Sequence, residues 1–547
     1  MEFNYKYLGS SSVNNSASKT DVSFAPDTLR SPTFFVGQLN KHIAFREAIS
    51  ALHDVVVSDL RFQPKDRTEY LEWAKQNEIE MLGEFISKGA GIEGEMKNIR
   101  QELNGLRDAS AKLMTPYYKA QRKYFNYLYR TDYNAWFVLD PIITVHPDEI
   151  FFECFSQDES SYGKLSCNYN VFKNVNEFAC GTTNIDYSAE LYNEFQKVRD
   201  YKDTQFQIDP SGFDVQTGND EGFREEKIDL PDSWVRGLLQ VSSAMTLPLI
   251  SVDLHPMDIH NFCFLLHRFK EKHGPRSIRF ELTPDKPVTA IFEPWNKKIV
   301  CSRSIYKGNE HHEIRIWGRR RILILERLIP IAKKFTISLL GSGLPSFFQA
   351  DLGDMTFTLG LSGWTANDWS RMGNFDLMAP RADVDDDTKK RVFEALKETW
   401  KESADSLAQR LNLDRSLVLA ALSIYTQAGR VIYDLKNDLY RLRELSRDPL
   451  PMDQLRFSNE REERANNFVK AKLAKINQVE PKEKIIQVTG TVMDDGRKQS
   501  CSLRIDNDER LVGAECSCHF YVHNKMHKGP CEHMIALRMQ FSNERNN

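Results

Sequence analysis

The chain has 547 residues, with 73 Lys and Arg against 77 Asp and Glu, a net charge of −4. No chain-wide positive field exists to hold polyanions, so any nucleic-acid contact has to be local. A content of 41% hydrophobic, 11% aromatic and 27% charged residues excludes a disordered or fibrous chain, and the length implies about three or four domains.

The first stretch, "MEFNYKYLGSSSVNNSASKTD", lacks the basic start and apolar run of a secretory signal. Residues 1–30 read as a flexible Ser/Asn-rich arm. A helical hairpin region is expected over 31–130. Within it Ile92, Met96, Ile99, Leu103, Leu106, Leu113 and Tyr117 follow alternating steps of four and three, with Ser110 in the gap. That spacing fits an intramolecular hairpin or an oligomerisation seam, and periodicity does not separate them.

Residues 131–380 read as a central α+β body. "AWFVLDPIITVHPDEIFFECFS" is strand-like and broken by Pro. Short β-rich runs from "LPLISVDL" to "RILILERL" surround one amphipathic helix, "MDIHNFCFLLHRFKEKH", so the strands are sequential instead of alternating with helices. "FTISLLGSGLPSFFQA" has 16 uncharged residues broken by Gly, Ser and Pro, short of the roughly 20 that a membrane span needs. Asp253, His255, Asp258 and His260 lie close together, but Pro256 breaks the segment and Asp258 suits a first-turn acid. "GSGLPSFF" lacks the Lys of a phosphate loop, His311 and His312 have no third ligand at helical spacing, and Asp158 and Glu159 diverge as neighbours. No catalytic residue and no small-molecule substrate emerges, and the expectation is a non-enzyme.

The acidic "APRADVDDDTKKR" marks a boundary. Over 388–447 a helix is followed by the stripes Leu407, Ala408, Leu411 and then Leu417, Ala420, Ala421, Ile424, joined by "NLD"; Gly429 caps the second, and "RVIYDLKNDLYRLREL" turns at "KND". This order resembles a winged helix-turn-helix module. From Lys389 to Arg447 there are 12 basic against 8 acidic residues, a balance of +4, with Arg415, Arg430, Lys436, Arg441 and Arg443 as candidate phosphate contacts. The helix "DRSLVLAALSIYTQAG" carries one Arg and few base-reading side chains. Arg319, Arg320 and Arg321, read on a strand, would split between its faces.

The last segment, 484–540, pairs Cys516-x-Cys518 with Cys531-x-His533. Three thiolates and one imidazole are the donor set of a closed tetrahedral Zn2+ site. Upstream residues alternate into strands through "DDG" and "DND", and "EHMIALRM" reads as a helix opening at the second pair. His519, His523 and His527 lie in the loop as competing ligands or as surface. Glu532, between two ligands, suits helix surface better than a catalytic base, so the zinc reads as a scaffold. With no other core evident in this tail, coordination is expected to supply most of its folding free energy. Residues 501–547 hold 6 basic and 6 acidic residues, yet Lys525 and Lys528, with Phe520 and Tyr521, could reach a nucleic acid.

A β-ribbon, Cys-x-Cys, a loop, Cys-x-His and a helix together resemble a SWIM-type zinc finger. With "TLGLSGWTANDWSRMGNFDLMAP" and "YRLRELSRDPL" upstream, the chain resembles large bacterial proteins that carry such a finger at the C-terminus. The resemblance implies company in multiprotein systems with an AAA+ ATPase and a von Willebrand-type protein, in conflict or stress responses. The fold class expected is thus α+β multidomain: helical hairpin or coiled coil, central α+β body, winged helix-turn-helix, and a zinc-bound β-ribbon plus helix. Cys154, Cys167, Cys180, Cys263, Cys301 and Cys501 stand apart in apolar or strand-like surroundings, the usage of a reducing compartment. A cytoplasmic zinc-binding adaptor is the first functional reading and a DNA-binding protein the second.

Overall fold

The computed structural model describes residues 12–15, 19–24, 33–58, 141–175, 178–184, 192, 195, 196, 198–201, 203–208, 232–271, 276–363, 369, 375–379, 384–445, 460–482, 485–507 and 510–546. The heptad seam from Ile92 to Tyr117 lies outside the described residues.

Strands β1 (Ser12–Asn15), β2 (Lys19–Phe24) and β3 (Phe34–Leu39) precede helix α1 (His42–Val56). β4 (Ile142–Val145), β5 (Glu149–Phe155), β6 (Ser161–Asn168), β7 (Phe172–Lys173), β8 (Phe178–Ala179), β9 (Gly181–Asn184) and β10 (Asp203–Ile208) follow, then helix α2 (Asp232–Met245). The stretch read as a mobile arm therefore contains two strands: β2 pairs with β1 antiparallel and with the distant β10 in parallel. Such pairing is carried by backbone groups, which Ser and Asn do not weaken enough to prevent.

β11 (Ile250–Leu254), helix α3 (Pro256–Arg268), β12 (Ser277–Leu282), β13 (Pro287–Phe292), β14 (Lys297–Ile305), β15 (His312–Trp317), β16 (Lys334–Leu339), β17 (Ser346–Asp351) and β18 (Met355–Leu361) complete the body. Among the described residues the principal sheet runs β11-β16-β17-β18-β6-β5-β4-β9, and a second runs β14-β13-β12-β15. The buried faces of α1 and α3 join both sheets in one core that includes Leu52, Val55, Phe262, Phe280, Phe335 and Phe357. No helix among the described residues is long and apolar enough to cross a membrane.

"RILILERL" corrects the sequence reading: Arg319–Leu328 is a 3-10 helix, not a strand. Gly318, at φ 71°, turns the chain, and Ile322, Leu325 and Leu328 are all fully buried. Their spacing of three matches the three residues per turn of a 3-10 helix, a period hidden under the alternation of Ile and Leu. Arg319 and Arg321 are inside the fold: Arg319 stacks on Trp295 at 4.3 Å and donates to the Glu293 carbonyl, and Arg321 donates to the Ser160 carbonyl.

Helix α4 (Asp386–Thr399), strand β19 (Lys401–Glu402), helices α5 (Ala404–Leu411) and α6 (Arg415–Gln427), and strands β20 (Val431–Asp434) and β21 (Leu439–Leu442) follow, with sheet order β19-β21-β20. Asp385 and Ser403 cap α4 and α5 by accepting from the Thr388 and Ser406 amides, Asn412 leaves α5 in the left-handed region, and Gly429, at φ 71°, ends α6.

Helix α7 (Glu460–Lys470) leads into the last sheet, β22 (Ala474–Lys482), β23 (Ile485–Asp494), β24 (Arg497–Asp506) and β25 (Leu511–Cys516), and helices α8 (His519–Asn524) and α9 (Glu532–Asn546) close the chain. Asp495 and Gly496, at φ 47° and 75°, form the two-residue turn between β23 and β24 that matches the twist of a hairpin. Val488, Leu503, Leu511, Met534 and Leu537 share one core with Trp234, Leu238 and Val241 of α2 and with Phe347 and Trp369. This corrects the premise that the tail has no core besides its metal site: the segment has an apolar core shared with the body.

Candidate metal centre

β25 delivers Cys516 at its last residue, and two residues later Cys518 caps α8, its Sγ accepting from the Tyr521 amide at 3.4 Å. The Cys518 amide donates to Cys516 Sγ at 3.5 Å. After the loop, whose Gly529 has φ 77°, Cys531 precedes α9 and accepts from the Ile535 amide at 3.1 Å through its carbonyl, while His533 lies in the first turn. The donor atoms of Cys516, Cys518, Cys531 and His533 lie within 4.8 Å of one another, and all four residues are buried. A tetrahedral zinc with bonds of about 2.3 Å to sulfur sets its ligands about 3.8 Å apart, so this quartet fits one such ion.

The sulfurs are unequal. Cys501 of β24 faces Cys516 across the strand pair and donates to it at 3.3 Å. That hydrogen bond, with those of Cys518 and Cys531, holds the Cys516 thiol far below the usual range, and the same contact with burial pushes Cys501 up. Contacts with Cys516 and Cys518 push Cys531 up as well. Burial opposes a charged His533, but the sulfurs of Cys516 and Cys518 and the Asp494 carboxylate outweigh it and raise its pKa to about 10. Zinc would replace the protons this cluster shares.

His533 Nε2 donates to Asp494 Oδ2 at 3.0 Å and its ring stacks on Phe468 at 5.5 Å; Arg464 bridges Asp494, at 3.2 Å, and Glu532, at 3.1 Å. Sequence spacing alone does not find Cys501, Asp494, Arg464 or Phe468. His519 and His523 are exposed with rings 3.9 Å apart, and neither they nor His527 joins the donor cluster.

The other candidates separate. Asp253 is engaged by Lys334 and Thr336, at 2.8 and 2.6 Å. His255 and Asp258 form a capping box at the start of α3, Ser304 donates to Asp258 at 2.6 Å, and His260 is exposed. Asp158 accepts from Ser156 and Ser160 inside a turn, and His311 pairs with Thr283.

Of the candidate phosphate contacts, Arg441 and Arg443 require correction: they are 2% and 0% exposed. Arg441 is held by Asp148 at 2.9 Å, Asp434 at 2.9 Å and Glu149 at 3.2 Å, and Arg443 by Glu153 at 2.8 Å. Burying a guanidinium requires such partners; Asp434 comes from the hairpin itself, and the others are met by docking on β5 and the turn before it. Lys436 reaches Asp351 and Thr356 of the body, Arg415 pairs with Asp405 at 2.6 Å, and Arg430 lies over Phe393. Lys525 is exposed beside the Tyr521 ring, and Lys528 is half-buried, its carbonyl accepting from Arg461.

Comparison with curated proteins gives no match. Among solved structures, the proliferating cellular nuclear antigen of Entamoeba histolytica is similar over 41% of this chain and 89% of its own, at 12% identity and a TM-score of 0.30, a level on which nothing is built. The family model of the SWIM zinc finger matches residues 499–537, and with the Cys516, Cys518, Cys531 and His533 cluster this segment is a SWIM zinc finger suited to zinc.

Proposed function

We propose that the chain is a non-catalytic zinc-binding adaptor, whose finger is a rigid recognition face for protein partners. The observation that carries this reading is helix α6: its middle, from Val418 to Ser423, is buried where it packs against α2 and within its own helical core, and Arg415 at its start is paired with Asp405. The order from α4 to β21 supports a winged helix-turn-helix, but a reading helix needs a free face to enter a major groove. One whose middle turns are buried in this way supports a module used for assembly. Four donors fill a tetrahedron, and Glu532 is engaged by Arg464, which supports a structural over a hydrolytic zinc.

The resemblance to large SWIM-finger proteins makes an AAA+ ATPase and a von Willebrand-type protein the partners to look for. Affinity purification from native extract, with and without nuclease, tests the reading. Partners retained after nuclease treatment are expected, whereas their complete loss would contradict it. The second reading, direct DNA binding, rests on Lys525 and Lys528 near the surface of the finger; retention that falls steeply with moderate salt would favour it.

A further inference from the structure

We infer that the zinc centre extends beyond the finger: Asp494 selects the ring nitrogen with which His533 meets the metal, and helix α7 holds that pair in place. A carboxylate only accepts, so the 3.0 Å contact from His533 Nε2 to Asp494 Oδ2 puts the imidazole proton on Nε2. In the neutral ring that a metal binds, the lone pair then belongs to Nδ1. Independently, Nδ1 is buried and, among the described residues, has no hydrogen-bond partner. A buried acceptor without a partner is costly, and here it belongs to a ring grouped with three sulfurs in a metal-sized cluster. Carboxylate, imidazole and metal in series is the arrangement that raises ligand basicity and fixes ring orientation.

The supports lie upstream of residue 499, where the family match begins. Asp494 is the last residue of β23, held at the hairpin turn opposite Arg497. Arg464 and Phe468 are four residues apart on α7 and so share a face. Arg464 donates to both Asp494 oxygens, at 3.2 and 3.3 Å, and Phe468 stacks on the His533 ring with 13° between planes. Three thiolates leave a bound zinc site with an excess negative charge, to which Asp494 adds; the Arg464 guanidinium offsets that addition. Asp494 is thus a positioning residue.

The test uses the full chain, with zinc affinity measured by competition against a chromophoric chelator and ring 15N shifts recorded for the zinc-loaded protein. Asp494→Ala should weaken zinc by about 10- to 100-fold. Asp494→Asn, which keeps shape and an acceptor oxygen, should fall between. The wild-type His533 signals should show a metal-bound Nδ1 and a protonated Nε2. Unchanged affinity in Asp494→Ala, or coordination through Nε2, would overturn the inference. Cys516→Ala, which removes a ligand, reports separately on whether the zinc site itself exists.

Discussion

Arg443 Nη1 lies 2.8 Å from Glu153 Oε1, and neither side chain is exposed. The same carboxylate oxygen accepts from Tyr162 at 2.7 Å, and Arg443 also reaches Ser242 at 3.3 Å. The end of β21 is thereby fastened to the middle of β5. Removing one partner of a buried pair leaves an uncompensated charge, so Arg443→Met should cost about 3–5 kcal/mol, while Arg443→Met with Glu153→Leu should recover most of it. Urea unfolding midpoints of the three proteins check this. Charge reversal at Arg441 or Arg443 therefore reports on stability before it reports on any nucleic acid.

His146 sets a pH dependence. It is buried between Phe151 and Trp400, and its Nε2 donates to the Leu442 carbonyl at 2.5 Å. Burial, then the Arg441 charge, lowers its pKa to about 3 from an ordinary 6.5. The unfolded chain takes up this proton below about pH 6.5 and the folded chain does not, so the stability is complete above 6.5 and is lost as pH falls toward 3. Between pH 7 and 5 the loss from this group is about 2 kcal/mol. Half-buried His53, lowered to about 4, acts with the same sign, so His146→Gln should flatten only part of the slope in thermal melts across that range.

Cys501 separates a neighbour from a ligand. It donates to Cys516 but stands outside the quartet. Cys501→Ala should keep the metal stoichiometry of the wild type, whereas Cys518→Ala or Cys531→Ala should not. Metal analysis after gel filtration distinguishes the two classes.

The core shared by the finger and α2 predicts a mild response to chelation. Leu503 is fully buried in it, and Leu503→Ala should cost about 2–5 kcal/mol. A strong chelator should disturb the finger while the body keeps its far-ultraviolet circular dichroism. A complete unfolding on zinc removal would contradict this.

The zinc quartet is legible in the sequence because its spacing is local: two residues within each pair, with a strand end and a helix start to present them. Cys501 and Asp494 are not, since each meets the centre through strand pairing or a hairpin end. The turns at Asn412, Gly429 and Asp495–Gly496 are legible because each needs a backbone that Asn or Gly tolerates. What α6 faces is hidden: of its stripe of Leu417, Ala420, Ala421 and Ile424 the two alanines are buried and the ends only half-buried, while Val418, Leu419 and Leu422, off the stripe, are buried. Charge counting likewise misplaces Arg441 and Arg443, because a sum over residues does not say which charges meet carboxylates inside the fold.

The most direct measurement is the metal content of the purified full chain and of His533→Ala and Cys516→Ala. One zinc per chain in the wild type, lost or sharply reduced in both variants, is the predicted result. Wild-type protein without stoichiometric zinc, or variants that hold it undiminished, would contradict the account.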